Sequence, residues 1–295
     1  MPRNVDGPGV ASFSLAPDHA VDAAWRLGLR VRWLMDTATG GASAVDMLQQ
    51  ARRAVEAGDA DTVLLVAGDV SRAADFRRLV DAFNAAARDN LAPIPTGGAN
   101  ALFAPGAVYR DPLTLDAYLQ EPLVADLLCR LDCVPVVSGA DTIVVQRGKP
   151  GMRMRSVVAL HNYDQQESDG LTTGLAQVAT RLWDGAGAGP EDVDVVSVYD
   201  DYPAMVLAQL DDLGFALDRD LKRLARRVRA HSPAVNASGG AAGEMHAVVE
   251  VVRQLRGTAG DRQVAEARLG VVTGYGMVAY RYGACANATV LEAAP

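Results

Sequence analysis

The pattern of apolar and polar positions predicts strands and helices that follow the same order in both halves of the chain. In the first half it predicts strands and helices at 5–13, 18–29, 42–58, 61–69 and 139–146. The last two segments are continuous apolar runs, which is typical of strands buried on both faces. In the second half the predicted elements lie at 154–162, 169–189, 193–201, 203–215, 244–257, 268–276 and 285–292. Strands that alternate with helices indicate an α/β fold.

Each half also contains a Gly-Gly pair directly before an amphipathic helix. We call Gly40-Gly41 the first elbow and Gly239-Gly240 the second elbow. The recurrence of the elbows within the same order of elements predicts two fused α/β half-domains, and chance self-similarity of one doubly wound domain is the alternative. We place the halves at 1–150 and 151–295, with 70–135 as a surface excursion inserted into the first half.

Composition and charge narrow the functional classes. The chain has 295 residues, a net charge of −8 and a pI near 5.0, so it has no general attraction for nucleic acid or anionic membranes. Its apolar runs are too short to span a bilayer, and the first ten residues lack the apolar core of a signal peptide. Three cysteines are too few for a disulfide framework and suit a reducing, cytoplasmic location. Their spacing predicts no metal site.

Several long stretches resemble the thiolase superfamily, and in particular its sterol-carrier and lipid-transfer type. These stretches are GGASAVDMLQQARRAVEAGDADTVLLVAGD, VYRDPLT, VADLLCRLDCVPVVSGADTIVVQ, GAGPEDVDVVSVYDDYPAMVLAQLDDLGF and NASGGAAGEMHAVVEVVRQLRG. The resemblance implies a five-layer αβαβα fold and a homodimer. It implies acyl-CoA thioesters as substrates, with no covalently bound cofactor. Some relatives act only with a small OB-fold partner that carries a zinc ribbon, and these include aldolases that split steroid side chains from CoA thioesters.

The first elbow departs from the thiolase pattern in the residue that carries the chemistry. Thiolases place a nucleophilic cysteine there, where the N-terminus of the following helix lowers the thiol pKa. The matching position here is Ala38. The hydroxyls of Thr37, Thr39 and Ser43 are best explained as turn and cap residues, because no histidine lies near them in sequence. Covalent acyl-enzyme catalysis is therefore not expected at this elbow.

The resemblance suggests proton-transfer residues at three places. Tyr199 stands where thiolases put a polar residue that holds a water molecule, and Asp200 follows it directly. Tyr275 lies in a glycine-rich segment where thiolases carry a second acid–base residue. His246 is the residue reached by counting forward from the second elbow. Counting back from the following helix instead makes His246 an ordinary helix residue, and the tyrosines have the alternative of core or interface aromatics.

A CoA site needs cations for the phosphates and glycines where the protein backbone approaches the ligand. The candidates are Gly240, Gly274, Gly276, Arg226 and Arg227. The two arginines lie in the basic helix 219–230, for which a solvated face is the alternative interpretation. The glycines lack both the P-loop lysine and the spacing of a dinucleotide fingerprint.

Two functional hypotheses follow. The first is a cysteine-less thiolase-like lyase or acyltransferase on CoA thioesters, most simply a retro-aldol C–C cleavage, because that reaction needs a base and enolate stabilisation but no nucleophile. The second is a degenerate thiolase-fold subunit that binds or scaffolds. Relative to thiolases the chain begins almost on a strand, is shortened at 97–114 and has a trimmed second elbow. These losses favour the second hypothesis but also fit a specialised enzyme completed by a partner subunit, and the motif match favours the first.

Overall fold

The structure is a computed structural model, and it describes most of the chain. The described residues are 5–12, 19–69, 114–125, 128–132, 138–148, 151–163, 172–200, 203–230, 232–239, 245–279 and 282–294. Most of the excursion predicted at 70–135 lies outside them, and so does Gly240 of the second elbow.

The first sheet has four strands and is built from the first half of the chain. Its strands are β1 (Gly7–Ala11), β2 (Met35–Thr37), β3 (Thr62–Asp69) and β6 (Gly139–Gln146), in the order β2-β1-β3-β6. Strand β1 is parallel to β2 and β3, whereas β6 is antiparallel to β3. A short separate hairpin consists of β4 (Leu123–Ala125) and β5 (Leu128–Cys129).

The second sheet has five strands. They are β7 (Arg153–His161), β8 (Val195–Ser197), β9 (Ala234–Val235), β10 (Leu269–Ala279) and β11 (Tyr282–Glu292), in the order β7-β11-β10-β8-β9. Strand β8 is parallel to β9 and β10, and β10 is antiparallel to β11. The run β9-β8-β10-β11 therefore repeats the order and directions of β2-β1-β3-β6. The duplicated halves predicted from the sequence are confirmed at this level, and β7 is an additional strand antiparallel to β11.

Seven described helices connect and cover the sheets. They are α1 (His19–Arg26), α2 (Ser43–Ala57), α3 (Leu115–Leu119), α4 (Leu175–Ala186), α5 (Pro203–Asp212), α6 (Leu221–Arg229) and α7 (Met245–Leu255). Helix α2 ends at Gly58, whose φ of 86° lets its N–H reach the carbonyl oxygens of Ala54 and Val55.

The helices and sheets form five layers, as the resemblance implied. Helix α1 packs on β1 and β2, whereas α2 and α7 lie together between the two sheets. Helices α4, α5 and α6 cover the other face of the second sheet. Right-handed crossovers explain this division, because β1–α1–β2 and β2–α2–β3 run in opposite directions along the sheet and so leave their helices on opposite faces.

Apolar spacing explains why α2 and α7 occupy the central layer. The apolar positions predicted for α2 are buried, and Met47 is fully enclosed. Met245 of α7 is equally enclosed and shares one core with Leu65 of the first sheet and Val272 of the second. A helix whose apolar side chains meet two sheets leaves little of its surface to water.

Two predictions about strands are wrong in detail. Strand β6 is not buried on both faces, because Thr142, Val144 and Gln146 are exposed and their neighbours only half-buried. It is the last of the described strands in the first sheet, so its continuous apolar run lacks, among the described residues, the cover that such a run usually indicates. The strand predicted at 193–201 is limited to Val195–Ser197, because the segment leaves the sheet where Asn236 takes over its backbone bonds at Val198.

Candidate functional site

The first elbow is a single tight turn that delivers the chain from β2 into α2. Gly40–Ala42 form a turn of 3₁₀-helix in which Ala42 N–H donates to the Thr39 carbonyl oxygen at 3.2 Å. Gly40 has a φ of 59°, a conformation that glycine adopts at little cost. The turn is buried, so its backbone is held in one position against the second sheet.

The glycines of β10 allow that close approach. A Cβ on Gly276 would lie 2.2 Å from the Thr39 carbonyl oxygen and 2.7 Å from the Gly41 nitrogen. A Cβ on Gly274 would lie 2.8 Å from the Ala42 Cα atom. Both positions face the elbow because alternate residues of a strand share a face. The glycine pattern around Tyr275 therefore serves contact between the two halves, which the sequence analysis did not anticipate.

Tyr199 closes the elbow from another side. A Cβ on Gly41 would meet the Tyr199 ring at 1.8 Å, so the ring lies directly on the Gly41 Cα atom. Tyr199 follows β8 by two residues, and its backbone N–H donates to Thr273 Oγ1 of β10 at 3.1 Å. This hydrogen bond helps to fix the position from which the ring extends. Tyr199 is half-buried, and it is the predicted proton-transfer residue that the structure places in contact with the first elbow, beside the predicted glycines Gly274 and Gly276.

A polar cluster lies behind the elbow, on the first turns of α2. Asp46 is 7% exposed, and its Oδ2 accepts a 2.6 Å hydrogen bond from the Thr39 hydroxyl. Its Oδ1 accepts a 2.7 Å hydrogen bond from Asn287 Nδ2 of β11, which also donates to the Ala42 carbonyl oxygen at 2.8 Å. These two acceptors fix the orientation of the Asn287 amide.

The second sheet adds a histidine and a thiol to this cluster. His161 ends β7, and its Nε2 lies 3.7 Å from Asp46 Oδ1. Cys285 pairs with His161 across β11 and β7. We refer to Thr39, Asp46, His161, Cys285 and Asn287 as the elbow cluster. Its most open member is His161, whose side chain is 48% exposed, so the cluster reaches solvent through an imidazole.

The surroundings of Cys285 decide whether its thiol can act as a nucleophile. Burial, reinforced by the negative charge of Asp46, raises the pKa of the Cys285 thiol to about 11. The thiol therefore stays protonated at neutral pH and does not replace the thiolate that the elbow lacks. His161, with Asp46 beside it, is the group of the cluster that can take part in proton transfer.

The amide of Asn287 carries an unmet hydrogen-bonding group. Its Oδ1 is buried and has no partner among the described residues, and it lies against Gly274. A buried acceptor in this state costs about 1–3 kcal/mol. Asn287 lies at the centre of the contact between β11, the elbow and α2.

Tyr275 lies on the opposite face of β10 from the two glycines that flank it. It is 2% exposed and belongs to the core beneath α4 and α5, together with Leu175 and Ala286. Tyr199 packs against the same core but also reaches the elbow. Asp200, next to Tyr199, is 6% exposed.

His246 contacts the first sheet. It is the second residue of α7, and its Nδ1 lies 3.1 Å from Asp141 Oδ2 of β6. The hydrogen bond from His246 lowers the pKa of Asp141 against the opposing effect of burial. This pair joins the central layer to β6, and no described contact connects it with Tyr199 or Tyr275.

The candidate CoA-binding arginines differ in their surroundings. Arg227 donates to the carbonyl oxygens of Phe215 at 2.9 Å and Ser232 at 3.2 Å, so its guanidinium is used within the fold. Arg226 is exposed on α6. Among the described residues no group of three or more metal-ligating side chains is suited to hold a metal ion. None of the described helices combines the length and apolarity that a bilayer crossing requires.

Sequence reasoning did not identify Asp46, His161 or Asn287. Any two of these residues lie at least 115 positions apart in the sequence. They come together because β7 pairs with β11 and because α2 is buried against this sheet. A carboxylate in the first turn of an otherwise apolar helix face is the one local signal that could have marked Asp46.

Comparison with known proteins gives the context of this site. The family described as Thiolase C-terminal domain-like matches residues 156–285. A 17-hydroxy-3-oxo-4-pregnene-20-carboxyl-CoA lyase of Mycobacterium tuberculosis is 31% identical over 174 residues, which cover 51% of this chain and 45% of that protein. A steroid side-chain-cleaving aldolase of Thermomonospora curvata is 27% identical over 173 residues, which cover 51% of this chain and 44% of that protein. The chain thus spans about half the length of the curated relatives it matches.

Solved structures share the fold over nearly the whole chain. An Ltp2-ChsH2(DUF35) aldolase aligns with a TM-score of 0.73 at 20% identity, and the alignment covers 98% of this chain and 87% of that one. A monomeric SCP2-thiolase like protein type 1 of Mycobacterium smegmatis aligns with a TM-score of 0.64 at 14% identity, over 99% and 68% of the two chains. The resemblance drawn from the sequence is confirmed, since the second half of the chain matches a Thiolase C-terminal domain-like family and nearly the whole chain shares the fold of an SCP2-thiolase like protein.

Proposed function

We propose that this thiolase-like chain is a lyase that cleaves a C–C bond of a β-hydroxyacyl-CoA thioester by a retro-aldol reaction. The names of two relatives, a carboxyl-CoA lyase and a steroid side-chain-cleaving aldolase, support this class of reaction. The first elbow supports it as well. It offers acid–base groups without a thiolate, and a retro-aldol step needs the former but not the latter.

The observation that carries the proposal is the contact of Asp46 with His161. A carboxylate that is 7% exposed and held by Thr39 and Asn287 lies 3.7 Å from a half-exposed imidazole. At 3.7 Å the two groups are in ion-pair contact without a hydrogen bond, and a carboxylate beside an imidazole is the combination that a general base and its partner use. The phenol of Tyr199 lies at the same elbow.

The reaction uses these groups in two proton transfers. His161 removes the proton of the β-hydroxyl group while the Cα–Cβ bond breaks, so the β-carbon becomes a ketone or aldehyde. The electron pair passes into the thioester as an enolate. Protonation of the enolate at Cα by the imidazolium releases the shortened acyl-CoA and restores the resting state; if Tyr199 is the donor instead, the imidazolium returns its proton to the Tyr199 phenolate, directly or through water. Acyl transfer is the weaker variant, because Ala38 and the protonated Cys285 leave no nucleophile.

The remaining candidate residues have subordinate roles in this proposal. Asp200 is buried and directly follows Tyr199, and Tyr275 is buried in the core against which Tyr199 packs. Both residues support the position of Tyr199. His246 is already hydrogen-bonded to Asp141 of β6. Arg226, which is exposed on α6, is the cation available to a CoA phosphate, whereas Arg227 already binds two carbonyl oxygens. No covalently bound cofactor is needed. A homodimer or a small OB-fold zinc-ribbon partner completes the site.

A second candidate function is that of a binding or scaffold subunit. The observation that favours it is the coverage of the first elbow, since the backbone of Gly276 and the ring of Tyr199 occupy the space next to the Gly41 nitrogen and Cα atoms. Backbone N–H groups that are covered in this way cannot bind a thioester oxyanion. Under this hypothesis the elbow has become a packing contact between the two halves.

The test is turnover of β-hydroxyacyl-CoA and β-ketoacyl-CoA panels by the purified full chain, with and without a candidate OB-fold partner. Under the lyase proposal we expect a ketone or aldehyde and a shortened acyl-CoA in equal amounts. His161→Ala should lower kcat by about 10²–10⁴-fold, the usual contribution of a general base. Arg223→Ala, an exposed change on α6, is the matched control.

The variants separate the two hypotheses. Loss of turnover in His161→Ala and Tyr199→Phe, with Tyr275→Phe close to the parent, would support the roles given above. Loss of turnover in Tyr275→Phe alone would assign the proton transfers to Tyr275 instead of His161 and Tyr199. If every pairing is inactive and CoA thioesters still bind, the chain is a binding subunit and the lyase proposal is wrong.

A further inference from the structure

The chain leaves the second sheet directly before Tyr199, and buried side chains then bind the backbone groups that the sheet no longer pairs. Strand β8 ends at Ser197, and its pairing with β10 ends at the same residue. Asn236, which follows β9, binds both backbone groups of Val198. Its Oδ1 accepts from the Val198 N–H at 2.7 Å, and its Nδ2 donates to the Val198 carbonyl oxygen at 3.0 Å. Side chains therefore take over from the neighbouring strands at this point, because buried backbone groups need partners.

Tyr199 is held in the same way by side chains of two other elements. Its N–H donates to Oγ1 of Thr273 on β10 at 3.1 Å, and its carbonyl oxygen accepts from Nε2 of Gln209 on α5 at 2.7 Å. The two side chains also bind each other, since Thr273 Oγ1 donates to Gln209 Oε1 at 2.7 Å. We call Gln209 and Thr273 the Tyr199 cradle. The cradle binds both backbone groups of Tyr199 and closes a ring of three hydrogen bonds around them.

The Tyr199 cradle is a polar network within an apolar core. Gln209 is 0% exposed and Thr273 is 3% exposed, and the neighbouring Leu210 and Leu213 of the same core are equally enclosed. Gln209 Nε2 also donates to the Met205 carbonyl oxygen at 3.0 Å, so both amide hydrogens and the amide oxygen have partners. Burial of polar groups is costly unless they are hydrogen-bonded, and a fully bonded network favours one arrangement. The cradle therefore holds the Tyr199 backbone in a single position.

The cradle acts from the outer helix layer on a ring that lies at the elbow. Thr273 shares a face of β10 with Tyr275, toward the outer helices, because alternate residues of a strand share a face. Gly276 lies on the other face of β10, which contacts the elbow. The Tyr199 ring lies on the Gly41 Cα atom of that elbow. A shift of the Tyr199 backbone within the cradle would therefore move the phenol relative to the elbow cluster.

We propose that Gln209 and Thr273 are positioning residues for the phenol of Tyr199. This inference rests on the proposed function, in which Tyr199 takes part in protonating the enolate at the first elbow. A proton donor must lie within hydrogen-bond reach of its acceptor, and a misplacement of about 1 Å can lower a rate by about 10²-fold. The cradle acts through Tyr199 alone, so its loss should lower kcat and leave KM unchanged.

A probe on Tyr199 itself tests the positioning without turnover. Fluorotyrosine is incorporated into the full chain, and the fluorine NMR resonance of Tyr199 is assigned by its absence in Tyr199→Phe. We expect this resonance to shift or broaden in Thr273→Val and in Gln209→Met, which keep the side-chain volume but remove the cradle bonds. Either variant alone is sufficient if the other does not fold. Thr273→Ser keeps the hydroxyl group and should leave the resonance at the parent position.

Thr289→Val is the matched control for Thr273→Val. Thr289 is also fully buried in the second sheet, and its Oγ1 donates to the Ser156 carbonyl oxygen at 2.8 Å. The control removes a comparable hydrogen bond that does not involve Tyr199. We expect a similar loss of stability and an unchanged Tyr199 resonance.

A double-mutant cycle tests the route of the effect on turnover of a β-hydroxyacyl-CoA. We expect Thr273→Val to lower kcat about tenfold with KM unchanged, and to have no further effect in a Tyr199→Phe background. An equal loss of kcat with and without the Tyr199 phenol would overturn the proposal, because the cradle would then act on general stability. So would an unchanged Tyr199 resonance in the folded cradle variants. A shifted resonance in a chain that cleaves no thioester would support the positioning of Tyr199 and count against the lyase proposal alone.

Discussion

The two halves of the molecule follow one topology and use it for different purposes. The strand orders β2-β1-β3-β6 and β9-β8-β10-β11 are equivalent in sequence of elements and in direction. The second half adds β7, which both closes the sheet edge and carries His161 to the first elbow. The first half contributes the elbow, and its last described strand, β6, has no described neighbour on its outer side. Duplication of a fold therefore does not duplicate a site, because the chemistry depends on side chains that each half places on the other.

The central helices show the same division. Helix α2 carries Asp46, whose carboxylate is bound by side chains of the elbow and of β11. Helix α7 carries Glu250, which is fully buried and is bound by Arg262 at 2.9 Å and Gln254 at 2.9 Å. The first carboxylate faces a half-exposed histidine, whereas the second is enclosed by structural partners. We expect substitutions at the first to affect function and at the second to affect stability.

The largest expected effect comes from breaking the ion pair of α7. Arg262→Ala leaves Glu250 buried without its cation, and loss of one partner of a buried pair costs about 3–5 kcal/mol of unfolding free energy. Arg52→Ala removes the exposed pair with Glu56 on α2, and we expect about 0–1 kcal/mol there. Urea denaturation of both variants measures the difference. Equal losses would mean that the two central helices are not distinguished in this way.

The pH dependence of the same variants sharpens the test. Burial acts to raise the pKa of Glu250, but hydrogen bonds from Arg262 and Gln254 outweigh it and hold the pKa below its ordinary value. The parent therefore gains stability from this group above the unfolded pKa and loses it as pH falls through the lowered folded pKa. In Arg262→Ala the hydrogen bond from Gln254 remains but the effect of the guanidinium is gone, so the pKa of Glu250 should rise and the gain of stability with rising pH should shrink.

A smaller effect is expected from separating the halves at the first elbow. Gly276→Ala places a Cβ 2.2 Å from the Thr39 carbonyl oxygen, and overpacking of this kind costs about 1–3 kcal/mol. Gly139→Ala at the start of β6 is the matched control, since a Cβ there meets nothing within 4 Å. Thermal unfolding followed by circular dichroism measures both. A Gly276→Ala protein as stable as the Gly139→Ala protein would show that the elbow does not need this contact.

The smallest expected effect is chemical and leaves stability unchanged. With a pKa of about 11, only on the order of one Cys285 thiol in a thousand is ionised at pH 8. Alkylation by iodoacetamide in the native protein should therefore be far slower than that of a free cysteine and should accelerate as pH approaches 11. Asp46→Asn removes one cause of the raised pKa and should speed the reaction. Rapid alkylation of Cys285 at pH 7 in the parent would contradict the assignment.

The sequence by itself determined most of the fold. Apolar spacing in 42–58 and 244–257 predicted the two central helices, because a helix between two sheets must be apolar on most of its surface. Gly58 and Gly257 marked their ends, since both adopt the positive φ values of helix C-caps. The recurring elbows predicted the duplicated order, and the long motif match predicted the five layers.

Only the tertiary structure decided the site and the exposure of β6. The grouping of Asp46, His161 and Asn287 depends on strand register, which brings residues 124 or more positions apart along β7 and β11 to one place. The face taken by Tyr275 depends on which side of β10 the glycines need for the elbow. The exposure of β6 depends on which strand ends the sheet, and an apolar run is the same in sequence whether or not a neighbour covers it. Local pattern specifies elements, whereas their neighbours are chosen by long-range packing.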